Sequence, residues 1–192
     1  MRKILLITLS ILVSVTIFAA GRIEGPFLIL STPYNADGSV NYDNLIKEAR
    51  FAASWNTPGI IWPQSNDAVD LLTREERFKG METLVREWKE RPSATVLTLG
   101  VNGDDTDDML VYAREAERLS AEYGVDIVLC ARPPYYGGRN EQENYYEALA
   151  GVARHPVIIQ TYVNDNTPTM SVEFIADLAR RYPDTYGWVK EE

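Results

Sequence analysis

The run Tyr186-Gly187-Trp188-Val189 is short and apolar, and it delivers one amine, Lys190, at its carboxyl end. A lysine so placed can attack a carbonyl carbon, provided its nitrogen is neutral. The ordinary lysine pKa of about 10.4 must then fall toward roughly 7–8, and burial in a low-dielectric pocket does this by disfavouring the ammonium. Loss of water from the adduct gives an iminium, an electron sink that lets a neighbouring carbon–carbon bond form or break. Taken alone, a lysine this near a chain end is more often a solvated side chain. The elements around it must decide.

Other chemistries find less support. His155 is the single histidine and Cys130 the single cysteine, which excludes a multi-histidine metal centre and an internal disulfide framework. Asp104, Asp105, Asp107 and Asp108 lack the glycine and spacing of a calcium loop. They suit the start of a helix, where the macrodipole favours negative charge. Gly100-Val101-Asn102-Gly103 has the wrong spacing for a dinucleotide-binding turn. A net charge of −9 and a pI near 4.7 repel phosphate backbones, so nucleic acid is not an expected partner. Neither a metal nor any other cofactor is expected.

The 192 residues, 45% hydrophobic and 24% charged, suit one domain with a sizeable core. Apolar runs at Phe27–Ser31, Gly59–Trp62, Thr95–Leu99, Asp126–Cys130, Val157–Thr161 and Tyr186–Val189 predict strands. Their starts are 29 to 36 residues apart, the length of one strand-plus-helix unit. Near-continuous apolar strands separated by helices indicate a parallel sheet covered on both faces. Without a dinucleotide turn, the α/β (β/α)8 TIM-barrel type is favoured over a doubly wound sheet. Only six of its units are legible, which leaves two edges exposed and the interior unfilled.

The helices are punctuated. Thr73 and Glu76 form a capping box, followed by Phe78, Met81, Leu84, Val85 and Trp88 at helical spacing. Gly124 can close the next helix in the left-handed conformation. Asn140 and Ser171 are the expected caps of the last two helices. Tyr42, Leu45, Ile46, Ala49 and Ala53 give the first helix its inner face. Trp55, Trp62, Trp88 and Trp188 are expected in the core, and Cys130 as an inert small hydrophobe.

The amino terminus differs from the rest. Arg2 and Lys3 precede an apolar stretch, Ile4 to Phe18, and Ala19-Ala20-Gly21 supplies small residues for cleavage. Residues 1–20 therefore have the layout of a secretory signal peptide, with residues 21–192 as a partial barrel domain and export as the expected destination. An uncleaved anchor is the alternative. Cleavage takes the net charge from −9 to −11 by removing Arg2 and Lys3.

Several loop residues recur in order at the carboxyl ends of the strands. Thr32-Pro33-Tyr34 and Asp37-Gly38 follow the first, Pro134-Tyr135-Tyr136 the fourth and Tyr162 the fifth, and Lys190 ends the sixth. In that order they resemble the dihydrodipicolinate synthase/N-acetylneuraminate lyase family of pyruvate-dependent lyases, from about Gly25 to Glu192. The resemblance implies that Lys190 forms a Schiff base with the keto group of pyruvate or another small 2-oxo acid. It implies that Tyr162, 28 residues upstream, relays protons, and that Tyr136 reaches a neighbouring site across an oligomer interface. Gln142-Glu143 and Tyr146 match the motif that follows. The loop that holds the pyruvate carboxylate falls on Gln64-Ser65-Asn66-Asp67-Ala68, which leaves Ser65 and Asn66, with Thr32 nearby, as the substrate-binding candidates. Both glycines of that loop are absent. Thr167 stands where synthases place an arginine for the second substrate, which argues against the lysine-biosynthesis reaction. Family relatives are usually cytoplasmic, carry two further units, and need no cofactor. The implied function is a Schiff-base lyase or aldolase that assembles as a homo-oligomer if complete. The alternative is a non-catalytic or shortened relative that binds a small acid or only oligomerises.

Overall fold

A computed structural model of the chain describes residues 23–134, 136–162 and 169–191. Six strands, β1 (Phe27–Ile29), β2 (Gly59–Trp62), β3 (Val96–Gly100), β4 (Val128–Ala131), β5 (Val157–Gln160) and β6 (Trp188–Lys190), form one parallel sheet in sequence order. Five helices alternate with them: α1 (Tyr42–Ser54), α2 (Arg74–Glu90), α3 (Thr106–Tyr123), α4 (Arg139–Val152) and α5 (Val172–Arg181). The result is a partial (β/α)8 barrel, the architecture favoured by the strand spacing together with the missing dinucleotide turn. β2 matches its expected span, whereas β6 lies two residues later at its start and takes in Lys190 itself. Tyr186 is held outside it by turn bonds, with its amide on the Tyr182 carbonyl and its hydroxyl 2.5 Å from the Tyr146 carbonyl.

Alternation along each strand sends residues to two separate cores. Outward residues such as Ile60, Leu97, Leu129 and Ile159 join the helices in the larger core. Inward residues Ile61, Val128, Cys130 and Ile158 form a smaller one inside the curl, with Phe27, Val96 and Trp188 packed against it. β2, β4 and β5 are buried throughout, whereas Leu28 of β1 and Val189 of β6 are each 48% exposed on the outward side.

The caps follow local chemistry. Thr73 and Glu76 form the expected box on α2, and Gly124 closes α3 at φ 64°. Asp105 caps α3 and Ser171 caps α5. Asn140 does not cap α4: the cap is Gly138, whose amide donates to Glu141 Oε2 at 2.8 Å, and Asn140 lies one residue inside the helix. Ala52 rather than Ala53 is the fully buried alanine late in α1. Trp55 is 73% exposed, contrary to expectation, because α1 ends before it; its ring meets exposed Phe51 edge-on, at 6.2 Å between centroids.

Below the amino ends of β4 and β5, Glu117 of α3 accepts from the Arg154 and His155 amides at 2.8 and 3.2 Å and meets His155 Nδ1 at 2.7 Å. Ser120 donates to the Val125 carbonyl at 2.7 Å and lies 3.1 Å from His155 Nε2. The leader residues 1–20 and Thr167 lie outside the described residues. Among the described residues no helix is long and apolar enough to cross a membrane.

Candidate functional site

The inward positions at the carboxyl ends of the strands are polar, and they converge. After β2, a cis Trp62–Pro63 bond leads into a turn in which the Asp67 amide bonds the Gln64 carbonyl at 3.0 Å. Gly100, opposite on β3, makes this turn possible: a Cβ there would sit 1.7 Å from the Pro63 carbonyl oxygen. The turn points the fully buried Gln64 side chain into the curl. Its Nε2 donates to Cys130 Sγ at 3.2 Å, and its Oε1 accepts from Asn102 Nδ2 at 3.1 Å and from the Ser65 amide and hydroxyl at 2.5 and 2.8 Å. Gln160, the last residue of β5, donates to Ser65 Oγ at 2.6 Å. Asn102 accepts the Arg132 amide at 2.9 Å.

Lys190 ends β6 in register with Gln160, and its carbonyl accepts the Thr161 amide at 2.9 Å. Partial burial lowers its pKa below the usual lysine value, because the ammonium loses hydration there; the neighbouring Cys130 works weakly the other way. Cys130 is fully buried, and burial pushes its thiol up to about 12 despite Lys190 and the Gln64 hydrogen bond. At neutral pH the pair is an amine of lowered basicity beside an un-ionised thiol.

The other predicted residues separate into groups. Tyr162 lies two residues past Gln160, its amide bonded to the Gln160 carbonyl at 2.9 Å and its ring 5.5 Å from the Arg132 guanidinium carbon. Ser65 is inside the network, but its single proton goes to Gln64. Asn66 is exposed at the turn. Thr32 is buried, donates its hydroxyl to Asp67 and accepts from Trp62 Nε1 at 3.0 Å, so it ties the first loop to the second. Tyr136 is 64% exposed and lines a cavity of about 360 Å³ with Asp70, Arg77, Asp104 and Tyr112, which adjoins the network through the contacts of Asp70 and Asp104 with Arg132.

Gln64, Asn102, Arg132 and Gln160 were not anticipated as site residues, although a signal existed. Each is a polar residue at or just beyond the end of an apolar strand; Asn102, Arg132 and Gln160 fall at inward positions by alternation, whereas Gln64 is turned inward by its loop. Among the described residues no cluster of three or more histidine, cysteine or carboxylate side chains could hold a metal ion. An amine, a phenol and a ring of amide groups can bind a small carbonyl compound and move its protons.

Residues 22–191 match the Dihydrodipicolinate synthetase family. A 4-hydroxy-tetrahydrodipicolinate synthase of Brachyspira hyodysenteriae is 28% identical over 158 residues, covering 81% of this chain and 51% of that protein. The chain thus spans about half the length of the curated relatives it matches. Among solved structures, YagE, a prophage protein of the dihydrodipicolinic acid synthase family from E. coli K12 in complex with pyruvate, superposes with a TM-score of 0.73 at 18% identity, over 86% of this chain and 54% of that one. N-acetylneuraminate lyase from Mycoplasma synoviae gives 0.68 at 22% identity, over 86% and 53%.

Proposed function

The chain belongs to the dihydrodipicolinate synthetase family, and from that premise we propose that it is a Schiff-base lyase or aldolase acting on a small 2-oxo acid such as pyruvate. The observation that carries this reading is Lys190, inward at the end of β6 with its ammonium disfavoured by burial. Its neutral nitrogen attacks the keto carbon, the former carbonyl oxygen takes up protons and leaves as water, and an iminium remains. Tyr162, at the same end of the adjacent strand, moves protons to and from the adduct. The pyruvate held by a family structure supports the choice of acid.

Borohydride added with pyruvate reduces the iminium to a stable secondary amine. The expected result is a carboxyethyl mass on the Lys190 peptide; an unmodified Lys190 under saturating pyruvate defeats the reading. A second reading, an acid-binding relative without catalysis, draws on the Ser65 hydroxyl being engaged within the protein. It predicts pyruvate binding that survives Lys190→Ala with no turnover in the parent chain. Homo-oligomer formation through the face bearing exposed Tyr136, and export by residues 1–20, are further proposals. Sedimentation and amino-terminal sequencing of exported protein respectively test them.

A further inference from the structure

We propose that Arg132 anchors the carboxylate of the 2-oxo acid whose keto carbon meets Lys190. This deepens the Schiff-base reading and depends on it for the identity of the ligand. Alternation on β4 turns Val128 and Cys130 into the curl, so Arg132 points the same way from the rim, and it is 1% exposed. The register sets Ala131 beside Ile159 and Ile159 beside Val189. Arg132 therefore stands at the level of Gln160 and Lys190. Two strand spacings, about 9–10 Å, separate it from β6. A long side chain from each side and a pyruvate-sized acid between them fit that gap.

The neutral donors that might have held the carboxylate are occupied or elsewhere. Ser65 gives its proton to Gln64, Thr32 gives its own to Asp67, and Asn66 is exposed. A chain of net charge −9 repels an anion, and a lysine that must be neutral to react cannot supply the countercharge. Arg132 can. A guanidinium stays charged and presents a planar fork that matches a carboxylate.

Its contacts with described residues can yield to a ligand. Nη2 lies 3.4 Å from Asp70 and 3.3 Å from Asp104, whose side chains are 56% and 71% exposed, and Nη1 lies 3.4 Å from the Pro133 carbonyl. Both carboxylates are open to water, so they can return to solvent when the buried guanidinium takes another partner. A carboxylate received between β4 and β6 would form N–H···O bonds of about 2.7–2.9 Å. The Tyr162 ring beside the guanidinium places the proton relay next to the bound acid.

The test compares pyruvate with its methyl ester, which keeps the keto group and lacks the charge, in borohydride trapping on Lys190 of the full chain. Arg132→Met is expected to raise the pyruvate concentration for half-maximal trapping by about 10- to 100-fold and to leave the ester nearly unchanged. Equal shifts for both compounds, or none for either, overturn the proposal in favour of a purely structural arginine. If Arg132→Met does not fold, Arg132→Lys keeps the charge and loses the fork. It should weaken pyruvate several-fold with no effect on the ester, and an unchanged pyruvate response overturns the proposal. Calorimetric titration of pyruvate separates the two ideas. Binding without trapping in the parent chain, lost in the arginine variant, removes the Schiff base and keeps the anchor; no binding removes both.

Discussion

At the amino-terminal side of the sheet, Glu117, His155 and Ser120 form a closed knot in which one carboxylate receives two backbone amides and an imidazole. At the carboxyl rim, Gln64, Asn102, Arg132 and Gln160 are just as polar and as buried, with Lys190 half-buried beside them, but most of their bonds run to other side chains. Both regions put polar groups where water is scarce, which costs free energy unless partners are supplied. The lower knot takes its main partners from the backbone, and so it fixes how α3 meets the turn before β5. The rim takes its partners from side chains that can turn toward something else. In barrels of this type the first arrangement belongs to stability and the second to chemistry.

Substitutions can break or sharpen that contrast. The largest effect is expected at the knot. Glu117→Ala bares two amides and an imidazole, and should cost about 3–5 kcal/mol in urea unfolding while Lys190 trapping persists in the folded fraction. Loss of trapping without loss of stability would erase the contrast. Next is Gly100→Ala, whose methyl would meet the Pro63 carbonyl at 1.7 Å. It should cost about 1–3 kcal/mol and also slow trapping, since Pro63 carries the Gln64 turn with it.

The smallest effect is expected from Lys190→Met, and its sign is opposite. The folded-state pKa of Lys190 is below 10.5, so between the two values the unfolded chain binds more protons and stability rises with pH. Below that window the buried ammonium is a penalty. The methionine variant should therefore be slightly more stable than the parent at pH 7, with the advantage fading as pH rises through the lowered pKa. Unfolding midpoints at several pH values check this, and trapping should be abolished throughout.

Much of the fold was legible because the strands are buried on both faces and so read as unbroken apolar runs. Gly59–Trp62 is found as expected. The misreadings have local causes. Trp55 looked like core by residue type, but the helix ends before it, which puts it in solvent. Asn140 looked like a cap by propensity, yet the Gly138 amide and Glu141 made the closure first. Of the candidate site, Lys190 and Tyr162 are proposed from the order and spacing that carry the family resemblance. Gln64 was read only as part of the carboxylate loop, and Asn102, Arg132 and Gln160 were missed because each belongs to a different loop or strand end. They meet only when parallel register aligns the inward residues, although counting alternate residues from Val128 through Cys130 would have found Arg132.

Cys130 carries one more consequence. Two potential nucleophiles share this interior, and sulfur is intrinsically the more aggressive toward electrophilic carbon. Sealed beneath Gln64 with its proton held to about pH 12, the sulfur stays dormant. On the proposed Schiff-base reading, the fold itself then decides between a thiohemiketal dead end and a productive imine, because only the nitrogen is left open to an incoming ketone.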